Sequence, residues 1–477
     1  MSKTALVTGN FNILHLGHIR LLQFAKKCAE TLIVAVNSDS MAGQEVQIPE
    51  ELRMETVKSI GCVDDVIINR QSVNDLIEKI KPDIIVKGRE FELRDNDELK
   101  VLKKYGGKLM FSSGETSFSN ERNFQDESME LNRTKNMLLQ YMARHNIKHN
   151  KLVEIVEEFE QKNILVIGDL IIDEYVDCYP LGMSEEDPTI VVTPTNRKKY
   201  VGGAGIVALH AAGLGAQVSF VTLTGKDEDR DFAATSLEEH NIDFKFLVDP
   251  TRVTTLKQRF RSSGKTLLRV SNLNQQSISQ DQQDLILSEV EKRLHNTHVL
   301  IFSDFNYGVL PQSLVENILK KVERFDGIIC AADSQSSSQT GDIKRFKRMN
   351  LITPTEKEAR LSLRNNEDGL VILADEIQKN SNAENVFLKL GADGVLLHSR
   401  EPKKKTIVTD RLDALNINPV DVSGAGDSML TSASLALACG ADIWSSGLIG
   451  SFASALQVSR VGNIPLSKNQ LTEIINR

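Results

Sequence analysis

Short β-branched runs alternate with amphipathic stretches along the first hundred residues. Thr4–Thr8 predicts a strand, Gly17–Ala29 a helix and Thr31–Val36 a second strand. Leu52–Ile60 then reads as a helix, Asp65–Ile68 as a strand, Val73–Ile80 as a helix and Ile84–Lys87 as a strand. Strands alternating with helical patterns imply a parallel sheet covered by helices, with ligands at the carboxyl ends of the strands. From Ser112 to about His149 the chain turns polar and loses apolar periodicity, which predicts a connecting segment, partly helical from Met129 onward. Beyond it Leu152, Ile155, Val156 and Phe159 share one helical face, and Ile164–Ile167 predicts a strand ended by Gly168-Asp169. A second α/β rhythm runs on from there, interrupted between Tyr175 and Tyr200 by an irregular, β-rich stretch. The pattern thus divides the chain into a first domain over 1–120, a connector over 121–149 and a second domain over 150–477.

A chain of 477 residues exceeds what one hydrophobic core usually organises, which agrees with two domains. No apolar run approaches the ~18 residues of a membrane helix, and MSKTALVTGN carries no apolar core of signal-peptide length. The five cysteines lie far apart without a CxxC pair, as in a reduced, cytoplasmic protein. A net charge of −8 argues against nucleic acid as a partner but leaves nucleotides open.

Two places carry candidate chemistry. The first is Thr8-Gly9-Asn10-Phe11-Asn12-Ile13-Leu14-His15-Leu16-Gly17-His18, joining the first strand to the first helix. His15 and His18 stand three apart at the helix start, so both imidazoles can address one spot. Gly17 between them permits close approach of a ligand, and the helix N-terminus suits phosphate. Two capping or core histidines are the bland alternative, and the spacing after a glycine-ended strand disfavours it. The run resembles the HxGH signature of cytidylyltransferase-like nucleotidyltransferases, with further matches at Ile33–Asp39, at Arg53 and at Val86-Lys87-Gly88. These are spaced as in the transferase half of the bifunctional heptose-phosphate kinase/adenylyltransferase family. The resemblance implies a Rossmann-like fold, His15 and His18 as catalytic groups, and Gly9, Phe11, Gly17 and Lys87 along the nucleotide. It also implies attack of a sugar phosphate on the α-phosphorus of ATP or CTP, with Mg²⁺ assisting. Asn12 stands where that family has Asp, Ser40–Glu51 lacks its basic residue, and its Ser/Thr phosphate motif survives only as Thr116-Ser117-Phe118-Ser119.

The second place is Asp421-Val422-Ser423-Gly424-Ala425-Gly426-Asp427, opening an apolar helical stretch over Ser428–Ala438. Glycines at a helix start present N–H groups as an anion hole, and an Asp just inside it can take a proton from a hydroxyl. A glycine turn with a helix-capping Asp is the bland alternative. Gly168-Asp169 with Asp173, the run Val201–Gly205, and Leu390-Gly391-Ala392-Asp393-Gly394 follow in the same order as in the ribokinase-like carbohydrate kinases, which the segment 150–477 resembles. Ser184–Pro188, Thr255–Arg259 and Ser303-Asp304-Phe305 again resemble the heptose-phosphate kinase half of the bifunctional family. The resemblance implies a ribokinase-like α/β domain with a small β-lid over Tyr175–Tyr200, which would also give a homodimer contact. It makes Asp427 the base, Gly424, Ala425 and Gly426 the anion hole, and Lys389, Gly391 and Gly394 neighbours of ATP. Asp169, Asp173, Gly202, Gly203, Lys257 and Arg259 would meet the sugar, and Glu358 a metal ion.

Departures bear on the acceptor. Ile206 and His210 replace asparagines, Tyr307 and Gln335 replace lysines, and Thr355 replaces the asparagine of an Asn-x-x-Glu element. The domain order, transferase before kinase, is the reverse of that family's. The reading is a bifunctional enzyme that phosphorylates a sugar and transfers a nucleotidyl group to the sugar 1-phosphate, of the ADP-heptose type. Two alternatives stay open: one live half, for example a cytidylyltransferase acting on a polyol or sugar phosphate, or a nucleotide-binding regulatory protein derived from such an enzyme.

Overall fold

The computed structural model describes residues 3–12, 14, 16–42, 48–88, 96–111, 126–184, 186–187, 189–262, 265–335, 342–400, 407–416 and 418–476. The chain forms two compact units, one of residues 1–130 with 366–373, the other of 131–365 with 374–477.

In the first unit β1 (Thr4–Gly9), β2 (Thr31–Asn37), β3 (Asp65–Asn69), β4 (Ile84–Lys87) and β5 (Lys108–Phe111) form one parallel sheet of order β3-β2-β1-β4-β5. Successive side chains of a strand point to opposite faces. Ala5 and Val7 accordingly join Leu22, Val34, Val36 and Val57 on one face, and Leu6 joins Ala35, Leu76, Ile77 and Leu102 on the other. Apolar packing on both faces is what a parallel sheet with crossover helices requires. The helix expected over Gly17–Ala29 runs from Leu16 to Cys28. The helix Val73–Ile80 is capped by Ser72, whose side chain accepts from the Asp75 amide.

The second unit is built on β6 (Asn163–Gly168), β7 (Leu170–Met183), β8 (Ile190–Gly203), β9 (Gln217–Thr224), β10 (Asp243–Val248), β11 (Thr255–Ser262), β12 (Lys265–Asn272), β13 (Val299–Asp304), β14 (Ile329–Ser334), β15 (Leu351–Ile352), β16 (Asn385–Lys389), β17 (Val395–Arg400) and β18 (Ile407–Leu412). Nine of these make a sheet of order β10-β9-β6-β13-β14-β15-β16-β17-β18, and its last two pairings are antiparallel. The other four form a separate sheet, β12-β11-β7-β8. The irregular stretch expected over Tyr175–Tyr200 is thus the far end of two long antiparallel strands, β7 and β8. Their inner halves are buried, and their outer halves carry Tyr179, Leu181, Met183, Ile190 and Val191 exposed.

The segment expected as a connector is helical over Asp126–Arg144, and Tyr141 and Met142 at its end are buried in the core of the second unit. Tyr141 donates to the Trp444 carbonyl at 3.0 Å, and the His145 ring stacks on Trp444 at 4.1 Å. Among the described residues no helix is long and apolar enough to cross a membrane.

Candidate active sites

In the second unit the carboxyl ends of β6, β13, β14 and β16 deliver Gly168, Asp304, Ser334 and Lys389 to one edge of the sheet. The helix Ala425–Ala438 begins there, with Gly424 as its N-cap. Gly424 has φ +77°, and a Cβ on it would lie 2.5 Å from Asn463 Oδ1, so this turn requires glycine. The turn is also held from outside. Tyr175 Oη donates to Asp421 Oδ2 at 2.6 Å, and Gln457 Nε2 donates to the carbonyls of Ser423 and Gly462.

Asp427 lies in the first turn of that helix, 6% exposed, and its Oδ1 has no hydrogen-bond partner among the described residues. Burial, reinforced by the nearby Asp333 charge, pushes its carboxyl up to about 7. A carboxylate that is buried, unpartnered and poised near neutrality is what a general base requires, whereas a capping Asp would be bonded to backbone amides. Lys389 Nζ pairs with Asp333 Oδ2 at 2.7 Å, and a Cβ on Gly426 would lie 2.9 Å from that nitrogen. The ammonium therefore sits against the glycine turn. Burial works against the Lys389 charge, but Asp333 and Glu358 more than offset it and hold its pKa above the usual lysine range. Gly391 and Gly394 form the turn between β16 and β17, next in sequence to Lys389.

Asp173 and Asp169, four residues apart, have different fates. Asp173 is buried beside Gly202, where a Cβ would come within 2.4 Å of its Oδ2, and it accepts from Asn463 Nδ2 at 3.1 Å. Arg259 reaches within 3.6 Å of its Oδ1. Burial raises the Asp173 pKa, and Arg259 and Lys257 pull it back. Asp169, expected at the substrate, instead accepts from the backbone amides of Phe305 at 2.8 Å and of Tyr307 and Val309 at 3.3 Å. Both its oxygens anchor the turn after β13. Gly203 has φ +58° and caps the helix Ala204–Gly213.

Lys257 Nζ lies 5.0 Å from the ring centre of Phe305 and 5.2 Å from that of Tyr307, a cation over two aromatic faces. An ammonium from β11 thus reaches Tyr307, where the kinase resemblance expects a lysine. Asp304 is paired with Arg345 at 2.8 Å and accepts from Ser334 Oγ at 2.7 Å. Ile206 and His210 face the core: Ile206 is fully buried among apolar side chains. His210 Nδ1 accepts from the Leu466 amide at 3.1 Å, and burial drops its pKa to about 3, so it is neutral. Glu358, expected at a metal, closes a capping box with Thr355, each side chain bonded to the other's backbone N–H. Among the described residues no three His, Cys, Asp or Glu side chains gather as metal ligands. The structure therefore gives Glu358 a helix-capping role.

In the first unit His18 lies on the helix Leu16–Cys28, its ring 5.3 Å from that of Phe11. Phe11 is buried in a left-handed backbone conformation, φ +49°, rare for a bulky residue. Gly9 ends β1 beneath it, where a Cβ would meet the Phe11 ring at 3.1 Å. Gly17 lies in the first turn of the helix. His15, Thr116, Ser117, Phe118 and Ser119 lie outside the described residues, as do Glu185 and Pro188. Asn12 Oδ1 accepts from the Ile48 amide at 3.1 Å. Lys87 pairs with Glu98 at 2.8 Å and with Asn96 Oδ1 at 2.9 Å. Arg53 is buried and donates to the carbonyls of Ile48, Asn10 and Asn37 while pairing with Asp39.

Asn463 and Tyr175, which hold Asp173 and the glycine turn, carry no sequence signal of their role; their bonds to Asp173 and Asp421 join positions about 250 residues or more apart along the chain. The Asp333–Lys389 pair could have been suspected from a carboxylate one residue short of the end of one apolar strand and a lysine at the end of another.

Comparison with known proteins agrees with this division. The cytidylyltransferase-like family matches residues 6–109, and the pfkB family of carbohydrate kinases matches residues 161–469. A curated relative, bifunctional protein HldE of Desulfatibacillum aliphaticivorans, is 29% identical over 320 residues, 66% of this chain and 63% of its own. HldE of Pseudomonas aeruginosa (strain LESB58) is 29% identical over 324 residues, 67% of this chain and 65% of its own. The chain thus spans less than two thirds of the length of either relative. Phosphofructokinase-2 from Escherichia coli shares the fold at a TM-score of 0.54 and 17% identity, covering 66% of this chain and 98% of that one. Ribokinase from Thermotoga maritima does so at 0.52 and 19%, covering 66% and 100%. With a match running from residue 161 to 469, well over half its length, the chain belongs to the pfkB family of carbohydrate kinases, and a cytidylyltransferase-like segment precedes that match.

Proposed function

We propose that the protein makes a nucleotide-activated sugar in two steps, of the kind known as ADP-heptose synthesis, with the two activities in the reverse of that family's domain order. The observation that carries the proposal is Asp427: a buried, unpartnered carboxyl poised near neutrality in the first turn of a glycine-opened helix. In the kinase step Asp427 takes the proton of the sugar's anomeric hydroxyl, that oxygen attacks the γ-phosphorus of ATP, and ADP leaves. The amides of Gly424, Ala425 and Gly426 face the charge that builds on the transferring phosphoryl group. Lys389 balances charge beside them, and Asp173 with Arg259 orients the sugar. Mg²⁺ carried by the nucleotide phosphates supplies charge neutralisation. In the transferase step the sugar 1-phosphate attacks the α-phosphorus of ATP or CTP at the end of β1, His15 and His18 contact the bound triphosphate and steady the transition state, and pyrophosphate leaves.

The acceptor of the kinase step is less anionic than heptose 7-phosphate. Asp173, Asp333 and Asp427 are all buried at the kinase site, and burial raises each carboxyl. A phosphate dianion would add charge to a site that already holds three carboxyl groups, where Lys257 lies over aromatic rings and Arg259 beside Asp173. A panel of sugars and sugar phosphates with ATP and CTP, followed for both ADP and pyrophosphate, tests the whole reading. Release of neither product with any member would leave only the regulatory alternative. Turnover of heptose 7-phosphate at kcat/KM of about 10⁴ M⁻¹s⁻¹ or above would sink the acceptor argument alone.

Exposed apolar side chains stand at the far ends of β7 and β8, and Leu268 and Val270 on β12 of the same sheet are exposed as well. Such a patch on a sheet fits a second copy of the chain, consistent with a homodimer through the lid. The five cysteines are free, in keeping with a cytoplasmic protein.

A further inference from the structure

β1, β2 and β3 end in register at the carboxyl edge of the first sheet, with Gly9 opposite Val36 and Asn37 opposite Asn69. Asn10 follows Gly9 and so stands beside Asn37. The three asparagines are bonded in a row. Asn69 Nδ2 donates to Asn37 Oδ1 at 3.1 Å, and Asn37 Nδ2 donates to Asn10 Oδ1 at 2.8 Å.

The direction of that row is fixed at its far end. The backbone amide of Gln71 reaches Asn69 Oδ1 at 3.2 Å, and a backbone N–H can only donate. Asn69, 1% exposed, must therefore present its oxygen to Gln71 and its NH₂ to Asn37. Asn37 must then present its NH₂ to Asn10, and Asn10 is left with its oxygen occupied. What Asn10 has to offer a ligand is its own NH₂, a group of two donors bonded to no acceptor among the described residues. The backbone beneath is held as firmly, because the buried Arg53 guanidinium donates to the carbonyls of both Asn10 and Asn37. On its other side Asn10 adjoins Phe11, whose strained backbone sets its ring against His18.

We infer that Asn10 is a ligand-contacting specificity residue of the first unit, its NH₂ aimed by the Asn69–Asn37–Asn10 relay to donate to a phosphate oxygen of a bound nucleoside triphosphate. The inference rests on the nucleotidyltransferase reading of this unit. Asn69 and Asn37 act as positioning residues. They touch no ligand, and they set which end of the Asn10 amide faces it.

The relay can be run backwards. Asn69→Asp replaces a donor by an acceptor at nearly constant shape, so Asn37 must turn its NH₂ toward residue 69 and its oxygen toward Asn10. Asn10 then turns its own NH₂ inward and shows the ligand an oxygen, which repels phosphate. Titration calorimetry of the full chain with MgCTP and with MgATP reads this, the first-unit site being the component of binding that His18→Ala removes. A donor lost to a charged acceptor corresponds to about tenfold in affinity or more. Asn10→Ala is expected to show that loss, and Asn69→Asp a comparable one. In the Asn10→Ala background Asn69→Asp should then change affinity by less than about twofold, because there is no amide left to turn. An Asn10→Ala protein that binds both nucleotides as the wild type does overturns the inference, even if Asn69→Asp fails to fold. An Asn69→Asp effect that persists undiminished in the Asn10→Ala background overturns the relay. If His18→Ala lowers binding while the asparagine variants do not, only this inference falls. If no component of binding responds to His18→Ala, the nucleotidyltransferase reading falls with it.

Discussion

Asp427→Asn is expected to leave nucleotide binding nearly intact and to lower turnover of any accepted sugar by about 10²–10⁴-fold, the range for losing a positioned base. Asparagine keeps the shape and the burial, but it cannot take the proton of the attacking hydroxyl. The wild-type rate should carry the same signature in its pH dependence. Burial and the Asp333 charge push the Asp427 carboxyl up to about 7, so the active ionised form is lost as pH falls through that value. The Asn variant's residual rate should lack that limb. A variant that turns over as fast as the wild type would remove Asp427 from the mechanism.

The same shift has a consequence for stability with a definite sign. An unfolded aspartate titrates near about 3.9, well below the folded value. Between those two values the folded protein binds more protons than the unfolded one, so stability declines as pH rises from about 4 to about 7 and stays lower above it. Asp427→Asn removes the share of that decline that belongs to this carboxyl. Thermal unfolding should therefore show the variant more stable than the wild type at pH 8, with the gap closing toward pH 4.

The expectation that each half is a helix-covered parallel sheet rested on β-branched runs such as Ile33–Val36 and Ile164–Ile167, and each of these lies on a strand with neighbours on both sides. Runs of this kind are legible because both faces of a central strand are buried. The lid was harder to read. β7 is one strand of 14 residues whose inner half is buried and whose outer half exposes Tyr179, Leu181 and Met183, so no single burial pattern spans it. The helix Asp126–Arg144 is legible only as a connector partly helical from Met129, because the polar run before Tyr141 and Met142, which are buried in the core, masks their periodicity.

Within the sites, local motifs were legible and their division of labour was not. The glycine turn before Asp427 names itself, because only glycine tolerates φ +77° in contact with Asn463. Asp169 and Asp173 are the same residue type on the same stretch, and nothing local says that one meets three backbone amides while the other stands beside Arg259. The departures at Ile206 and His210 look like lost sugar contacts in sequence. In space both side chains belong to the core, so their replacement alters packing rather than recognition. Tyr307 misleads in the opposite direction, since Lys257 arrives over its ring from a strand fifty residues earlier.

His18→Ala should lower pyrophosphate release by about 10²–10³-fold, the effect of removing one donor to charge developing in a transition state. ADP formation should be unchanged. The two candidate sites sit on separate cores: Phe11 belongs to an apolar cluster with Leu22, Val34 and Val36, and the helix carrying Asp427 to one with Phe220, Ile301 and Leu448. Substitutions in unconnected cores are expected to act independently. The His18 ring also packs on Phe11, so truncation to alanine removes a contact as well as a donor. His18→Leu separates the two contributions, because its side chain keeps much of the bulk against Phe11 but offers no N–H. It should release pyrophosphate as slowly as the alanine variant, whereas recovery of the rate by leucine would assign the loss to packing. A fall in ADP formation matching the fall in pyrophosphate release would show that the two halves do not work separately, and the two-site reading of this chain would have to be abandoned.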